Sequence, residues 1–102
     1  MASGKEFLEY VLEQLSETDG IRWRPMMGEY LLYCQGKLIG GIYDDRLLVK
    51  PTPSAKALLP EAPLALPYDG AKEMLLVEET DDRELLAAPV TAVAADLSAP
   101  ER

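Results

Sequence analysis

The fold class this sequence predicts is α+β: one antiparallel β-sheet with an N-terminal and a C-terminal helix. Three observations carry the prediction. Phe7, Leu8, Val11, Leu12 and Leu15 recur at helical spacing near the start of the chain. Residues 28–50, GEYLLYCQGKLIGGIYDDRLLVK, hold runs of Tyr, Leu, Ile and Val cut by Gln35-Gly36 and Asp44-Asp45, which is hairpin chemistry. A second helical region follows Thr80. Strands that succeed one another, instead of alternating with helices, pair antiparallel.

Taken in order, Ser3 and Glu6 form a Ser-x-x-Glu capping box, so the first helix is predicted from Ser3 to Glu17, stopping near Gly20. Its opposite face, with Glu6, Glu9, Glu13 and Glu17, reads as a solvated face before it reads as a binding site. IRWRP is a short strand ending near Pro25. Two hairpins follow, pairing Tyr30–Cys34 with Lys37–Tyr43 and continuing through Arg46–Lys50. Alternation puts Tyr30, Leu32 and Cys34 on one face but Leu31 and Tyr33 on the other, so both faces are apolar. Five prolines between Pro51 and Pro67 exclude one continuous helix or a central strand there. Ser54 is predicted to cap a single helical turn laid over the sheet. A short LPY segment, an Asp69-Gly70 turn and the strand EMLLVE come next. Thr80 is predicted to cap the last helix, with Asp81 and Asp82 in its first turn and Pro89 breaking or restarting it.

A chain of 102 residues reads as a single domain, 1–102, with a frayed tail from about residue 98 and a radius of about 13 Å. No apolar run reaches the roughly 18 residues of a membrane span, and the start shows no signal-peptide pattern, so a cytoplasmic protein without membrane association is expected. Eighteen acidic against ten basic residues give a net charge of −8, which repels phosphate backbones and argues against direct nucleic-acid binding. The absence of histidine removes the commonest general base, the Ser-His and Cys-His pairs and histidine-containing zinc sites. One cysteine, Cys34, leaves neither an internal disulfide nor a thiolate metal site. No catalytic residue, cofactor or metal is expected.

The order of these elements, SGKEFLEYVLEQL followed by RPMMGEYLLYCQGKLIGGIYDDRLLVK, resembles the TfoX (Sxy) N-terminal domain family over residues 3–50. The family pattern runs basic-x-Met-Phe-Gly-Gly-x-Gly-Leu-Tyr, then DGK, then DDRLYLK. Arg24, Met26, Gly28, Tyr33, Gly36, Lys37, Asp44, Asp45, Arg46, Leu47 and Lys50 match it as they stand. Met27 replaces the usual Phe, and Glu29 and Leu31 replace glycines, so a glycine-rich backbone approach does not carry over. The resemblance implies a fold like that of small acidic secretion chaperones. In full-length members it also implies a role in activating competence genes beside a DNA-bound activator, and the carboxy-terminal domain of those members is not expected in this chain.

Cys34 reads as a buried strand cysteine before a reactive thiol, and Asp44-Asp45-Arg46 as a solvated turn with a local ion pair before a site. Met26 and Met27 read as core filling before a contact surface. Gly40-Gly41 inside a strand predicts a bulge or a close approach. Trp23, flanked by Arg22 and Arg24, is the most interface-like feature, because Trp and Arg are enriched at hot spots. The second sheet face, drawn from Leu31, Tyr33, Ile39, Gly41 and Tyr43, needs a cover, either the proline-rich connector or a second copy in a homodimer. The candidate interaction residues are therefore Arg22, Trp23, Arg24, Leu31, Tyr33 and Tyr43. The reading that results is a non-enzymatic protein-interaction module, a competence-type transcriptional co-regulator acting through protein partners such as the transcription machinery. The alternatives are a chaperone-like binder of extended peptide segments and, last, a carboxylate-based enzyme.

Overall fold

The computed structural model describes residues 4–78 and 80–98. Its elements are α1 (Lys5–Gln14), β1 (Ile21–Met26), β2 (Glu29–Cys34), β3 (Lys37–Tyr43), β4 (Arg46–Val49), α2 (Pro53–Leu58), β5 (Leu64–Ala65), β6 (Met74–Val77) and α3 (Arg83–Ser98). The strands form one antiparallel sheet in the order β1-β2-β3-β4-β6-β5. The helices are gathered on one face of it, with α3 against β2, β3 and β4, and with α1 and α2 against α3. This is the α+β arrangement predicted, with a radius of gyration of 12.5 Å.

Three two-residue turns build the first four strands. Met27-Gly28, Gln35-Gly36 and Asp44-Asp45 each place both central residues at positive φ, the backbone that matches the twist of flanking strands. The first of these turns was not foreseen, and Met27 at its tip is 97% exposed, so it fills no core. Because that turn closes on the Met26/Glu29 pair, Arg24/Leu31 and Arg22/Tyr33 are the hydrogen-bonded pairs of the hairpin. Ile21, Trp23 and Pro25 then turn their backbone groups to the open edge. Pro25, which lacks an N–H, sits inside β1 without loss of a ladder bond and does not end the strand.

Between β2 and β3 the register shifts, with Leu32 opposite Gly40 but Tyr33 opposite Leu38, which leaves Ile39 as the extra residue of a β-bulge. The bulge returns Ile39 to the helix-covered face, where it is fully buried, and not to the second face as strict alternation predicts. The adjoining glycines answer close approaches. A Cβ at Gly40 would run into the Leu48 carbonyl oxygen, and one at Gly41 would lie 2.5 Å from the Tyr30 carbonyl oxygen and 2.8 Å from Cε2 of Tyr43.

The core lies between sheet and helices. Leu8, Val11 and Leu15 of the α1 region meet Leu32, Cys34, Ile42, Leu47, Val49, Leu75 and Val77 from the sheet and Leu86, Val90 and Val93 from α3. Each such side chain contributes roughly 1.5–3 kcal/mol on burial. α1 ends at Gln14 and not at Glu17, because Ser16, Thr18 and Asp19 favour turn over helix and Gly20 (φ +82) reverses the chain. The N–H groups of Phe7 and Leu8 donate to the Gly4 carbonyl; Ser3, the other half of the expected capping box, lies outside the described residues.

α2 is held from a distance. Thr52, not Ser54, is its N-cap and makes no side-chain cap bond. Asp96 on α3 instead accepts the Ser54 backbone N–H at 2.9 Å and the Ser54 hydroxyl at 2.8 Å. The backbone bond first, then the hydroxyl, hold the Asp96 carboxyl below its ordinary range. α3 is capped by Asp82 and not by Thr80: the Asp82 carboxylate accepts the Leu85 N–H at 3.1 Å and its carbonyl accepts that of Leu86. The helix runs through Pro89 without breaking. That ring is buried beside Leu86, Val90 and Val93, and packing offsets the helical bond the imino nitrogen cannot make. The expected short strand is Leu64–Ala65, one residue pair upstream of LPY. The tail after Ser98 lies outside the described residues.

Candidate interaction surface

Pairing registers assign the second face. It carries Arg22, Arg24 and Met26 from β1, Glu29, Leu31 and Tyr33 from β2, Leu38, Gly41 and Tyr43 from β3, Arg46 and Leu48 from β4, and Leu76 from β6. None of the described helices packs on it. The connector after β5 covers one half: Arg46 donates from Nε to the Tyr43 carbonyl at 3.1 Å and from Nη2 to the Leu66 carbonyl at 3.0 Å, which ties residues 66–68 across the strands. Pro67 is buried there, and the Tyr68 ring lies 6.1 Å from that of Tyr43. Tyr43 in turn folds over Gly41, and Leu48 is fully buried.

The other half stays open. Leu31, Tyr33 and Leu38 are half-buried with no connector above them, and Arg22 and Arg24 flank them as exposed residues. Among the described residues Arg22 donates to the carbonyl of the adjacent Ile21 at 3.1 Å, and neither guanidinium has an ion-pair partner. Half-buried apolar residues beside arginines share the aromatic and Arg enrichment found at interfaces.

The candidate residues thus divide. Arg22, Arg24, Leu31 and Tyr33 share the open half of the second face. Trp23 does not join them: it points to the helix side, 37% exposed at the edge, with its ring edge-on to Tyr30 at 5.6 Å. Tyr43 is on the right face but under Tyr68; burial first, then the neighbouring Tyr68, Glu29 and Tyr33, push its hydroxyl pKa up, so it remains an O–H donor. Leu38 belongs to the strip and was missed, because only the bulge at Ile39 puts it there.

Elsewhere the chemistry is quiet. Cys34 is buried, its Sγ 3.8 Å from the Asp19 carbonyl, and burial raises its pKa, which suits a structural thiol. In the third turn, Arg46 donates to the Tyr43 and Leu66 carbonyls, and Asp45 accepts the Gly4 N–H at 2.8 Å. Among the described residues no group of three or more Cys, Asp or Glu side chains is placed to hold a metal ion. None of the described helices is long and apolar enough to cross a membrane.

The chain is 30% identical over 79 residues to the uncharacterized 12.7 kDa protein in the trpE 5′ region of Spirochaeta aurantia, covering 78% of this chain and 69% of that one. No solved structure matches. Residues 13–94 match the TfoX N-terminal domain, reaching well past the hairpins into α3, and the chain belongs to that family.

Proposed function

We propose that the protein is a non-enzymatic interaction module that pairs with a second copy through the open half of its sheet and serves as a competence-type co-regulator through protein partners. Membership of the TfoX N-terminal domain family supports the regulatory part. The observation that carries the assembly part is the strip of Leu31, Tyr33 and Leu38 with Arg22 and Arg24 beside it, neither of them ion-paired among the described residues. Its charges are self-complementary. Arg22 stands opposite Tyr33 at one end of the β1–β2 hairpin and Glu29 at the other, about 13 Å along the strand. A two-fold axis lying in the face and running across the strands reverses the ends, and brings Arg22 over the copy's Glu29, whose carboxylate also accepts the Asp44 N–H at 3.1 Å.

The co-regulator part is tested by affinity capture from the host at two salt concentrations, with wild type and with Trp23→Ala/Arg24→Ala. Identification of a transcription activator or RNA polymerase subunits on the wild type, and their loss on the variant, is the expected outcome. Retention of only unrelated unfolded chains would replace it with the chaperone-like reading. That second reading has its own observation, the outward backbone groups of Ile21 and Trp23 on the free edge of β1, to which an extended segment can add as a strand.

A further inference from the structure

The connector that covers Tyr43 does not fill the space beneath it. Between the connector and the ends of β4 and β6 lies a hollow of about 400 Å³, within the range of small-ligand sites. Tyr43, Tyr68, Pro67 and Met74 supply flat and apolar walls, and Lys50 and Lys72 stand at its margin. The two rings are tilted by 51° and not stacked on each other, and it is the exposed Tyr68 ring, above the buried Tyr43, that offers surface to the hollow. On a chain of net charge −8, two lysines at one small site are a local reversal of sign, with Glu73 the only acidic side chain lining it among the described residues. Among the described residues neither lysine has an ion-pair partner.

We propose that this hollow binds a ring-bearing phosphate monoester, the chemistry of a nucleoside monophosphate. The ring packs against Tyr68 and the Tyr43 edge, and the dianionic phosphate meets the Lys50 and Lys72 ammonium groups, each acting as a point charge with free donors. Two cations match the roughly −1.5 to −2 charge of a phosphate monoester at neutral pH. The site does not depend on the open half of the sheet, so it stands or falls apart from self-pairing. It makes the connector, tied down through Arg46 and Leu66, the element that a ligand would brace.

The test is titration of the full chain with the common nucleoside 5′-monophosphates, with unphosphorylated adenosine and inorganic phosphate as probes of each half, read by calorimetry and by proton NMR of the tyrosine rings. Saturable binding of at least one monophosphate, with Tyr68 and Tyr43 resonances shifting, is expected. Lys72→Ala and Tyr68→Ala, both at exposed positions, should each weaken it roughly tenfold, the effect of one lost charge or stacking contact. Lys56→Ala, on α2 and outside the hollow, should leave it unchanged. Absence of saturation by any monophosphate at about 10 mM, which corresponds to less than roughly 3 kcal/mol of binding, would overturn the proposal. So would equal loss in Lys56→Ala and Lys72→Ala, or inorganic phosphate binding as tightly as the nucleotides.

Discussion

Gly41→Ala puts the architecture of the second face to a quantitative test. The added methyl would lie 2.5 Å from the Tyr30 carbonyl oxygen and 2.8 and 3.0 Å from two ring carbons of Tyr43. Ordinary carbon contacts sit at roughly 3.5–4.0 Å, so the ring must retreat by about 1 Å. The Tyr30 carbonyl belongs to the β2–β3 pairing and cannot retreat as freely. Displacing Tyr43 also loosens Tyr68 and uncovers Leu48. Overpacking of this kind costs about 2–3 kcal/mol, which for a domain of this size lowers the melting temperature by roughly 10–20 °C. Gly36→Ala is the matched control. Its φ of +79 carries the backbone penalty of about 1 kcal/mol, yet nothing lies within 4 Å of the new methyl. Thermal unfolding followed by circular dichroism should therefore rank Gly41→Ala well below Gly36→Ala. If Gly41→Ala melts as high as Gly36→Ala or higher, Tyr43 does not lie over Gly41 in the way described.

Two further outcomes follow from the helix ends. Asp82→Ala should lower stability by about 1 kcal/mol in urea unfolding, while Thr80→Ala should change it much less, because the Leu85 N–H is bonded by Asp82. Asp96 has a carboxyl pKa lowered in the folded state, so its contribution is fully present above its ordinary value of 3.8 and is lost as pH falls through the lowered folded value. In acid titrations followed by thermal unfolding, Asp96→Asn should be less stable than wild type at neutral pH, and the gap should narrow as the pH falls below about 4.

Much of this molecule is readable from residue order. Hairpin turns announce themselves where Gly or paired Asp interrupts runs of strand formers, as at Gln35-Gly36 and Asp44-Asp45, since few residues tolerate positive φ. Met27-Gly28 has the same geometry but hides in a pair of methionines that look like core. The face assignments fail at one place for one reason. A period of two holds only while the ladder is unbroken, and the unpaired Ile39 shifts the inward and outward parity of β3 beyond it. Trp23 between two arginines reads equally as an interface residue or a half-buried strand aromatic, and its separation from them follows from strand alternation, which sends neighbours to opposite faces. Pro89 reads as a helix breaker by local propensity, and tertiary burial overrides that propensity. The lysine-tyrosine hollow was invisible in the sequence, since Lys50, Tyr43, Tyr68 and Lys72 come together only when the connector crosses the sheet.

The account turns on what covers the open half of the second face. Sedimentation equilibrium of the wild-type chain and of Leu31→Glu, from micromolar to submillimolar protein, measures that directly. Leu31 is only half-buried in a single copy, so the substitution leaves the helix-side core intact while setting a charge in the strip. A mass rising to twice the 11.2 kDa chain for wild type, with Leu31→Glu remaining at one chain mass and folded, is the result predicted. A single-chain mass for wild type across the whole range would contradict self-pairing.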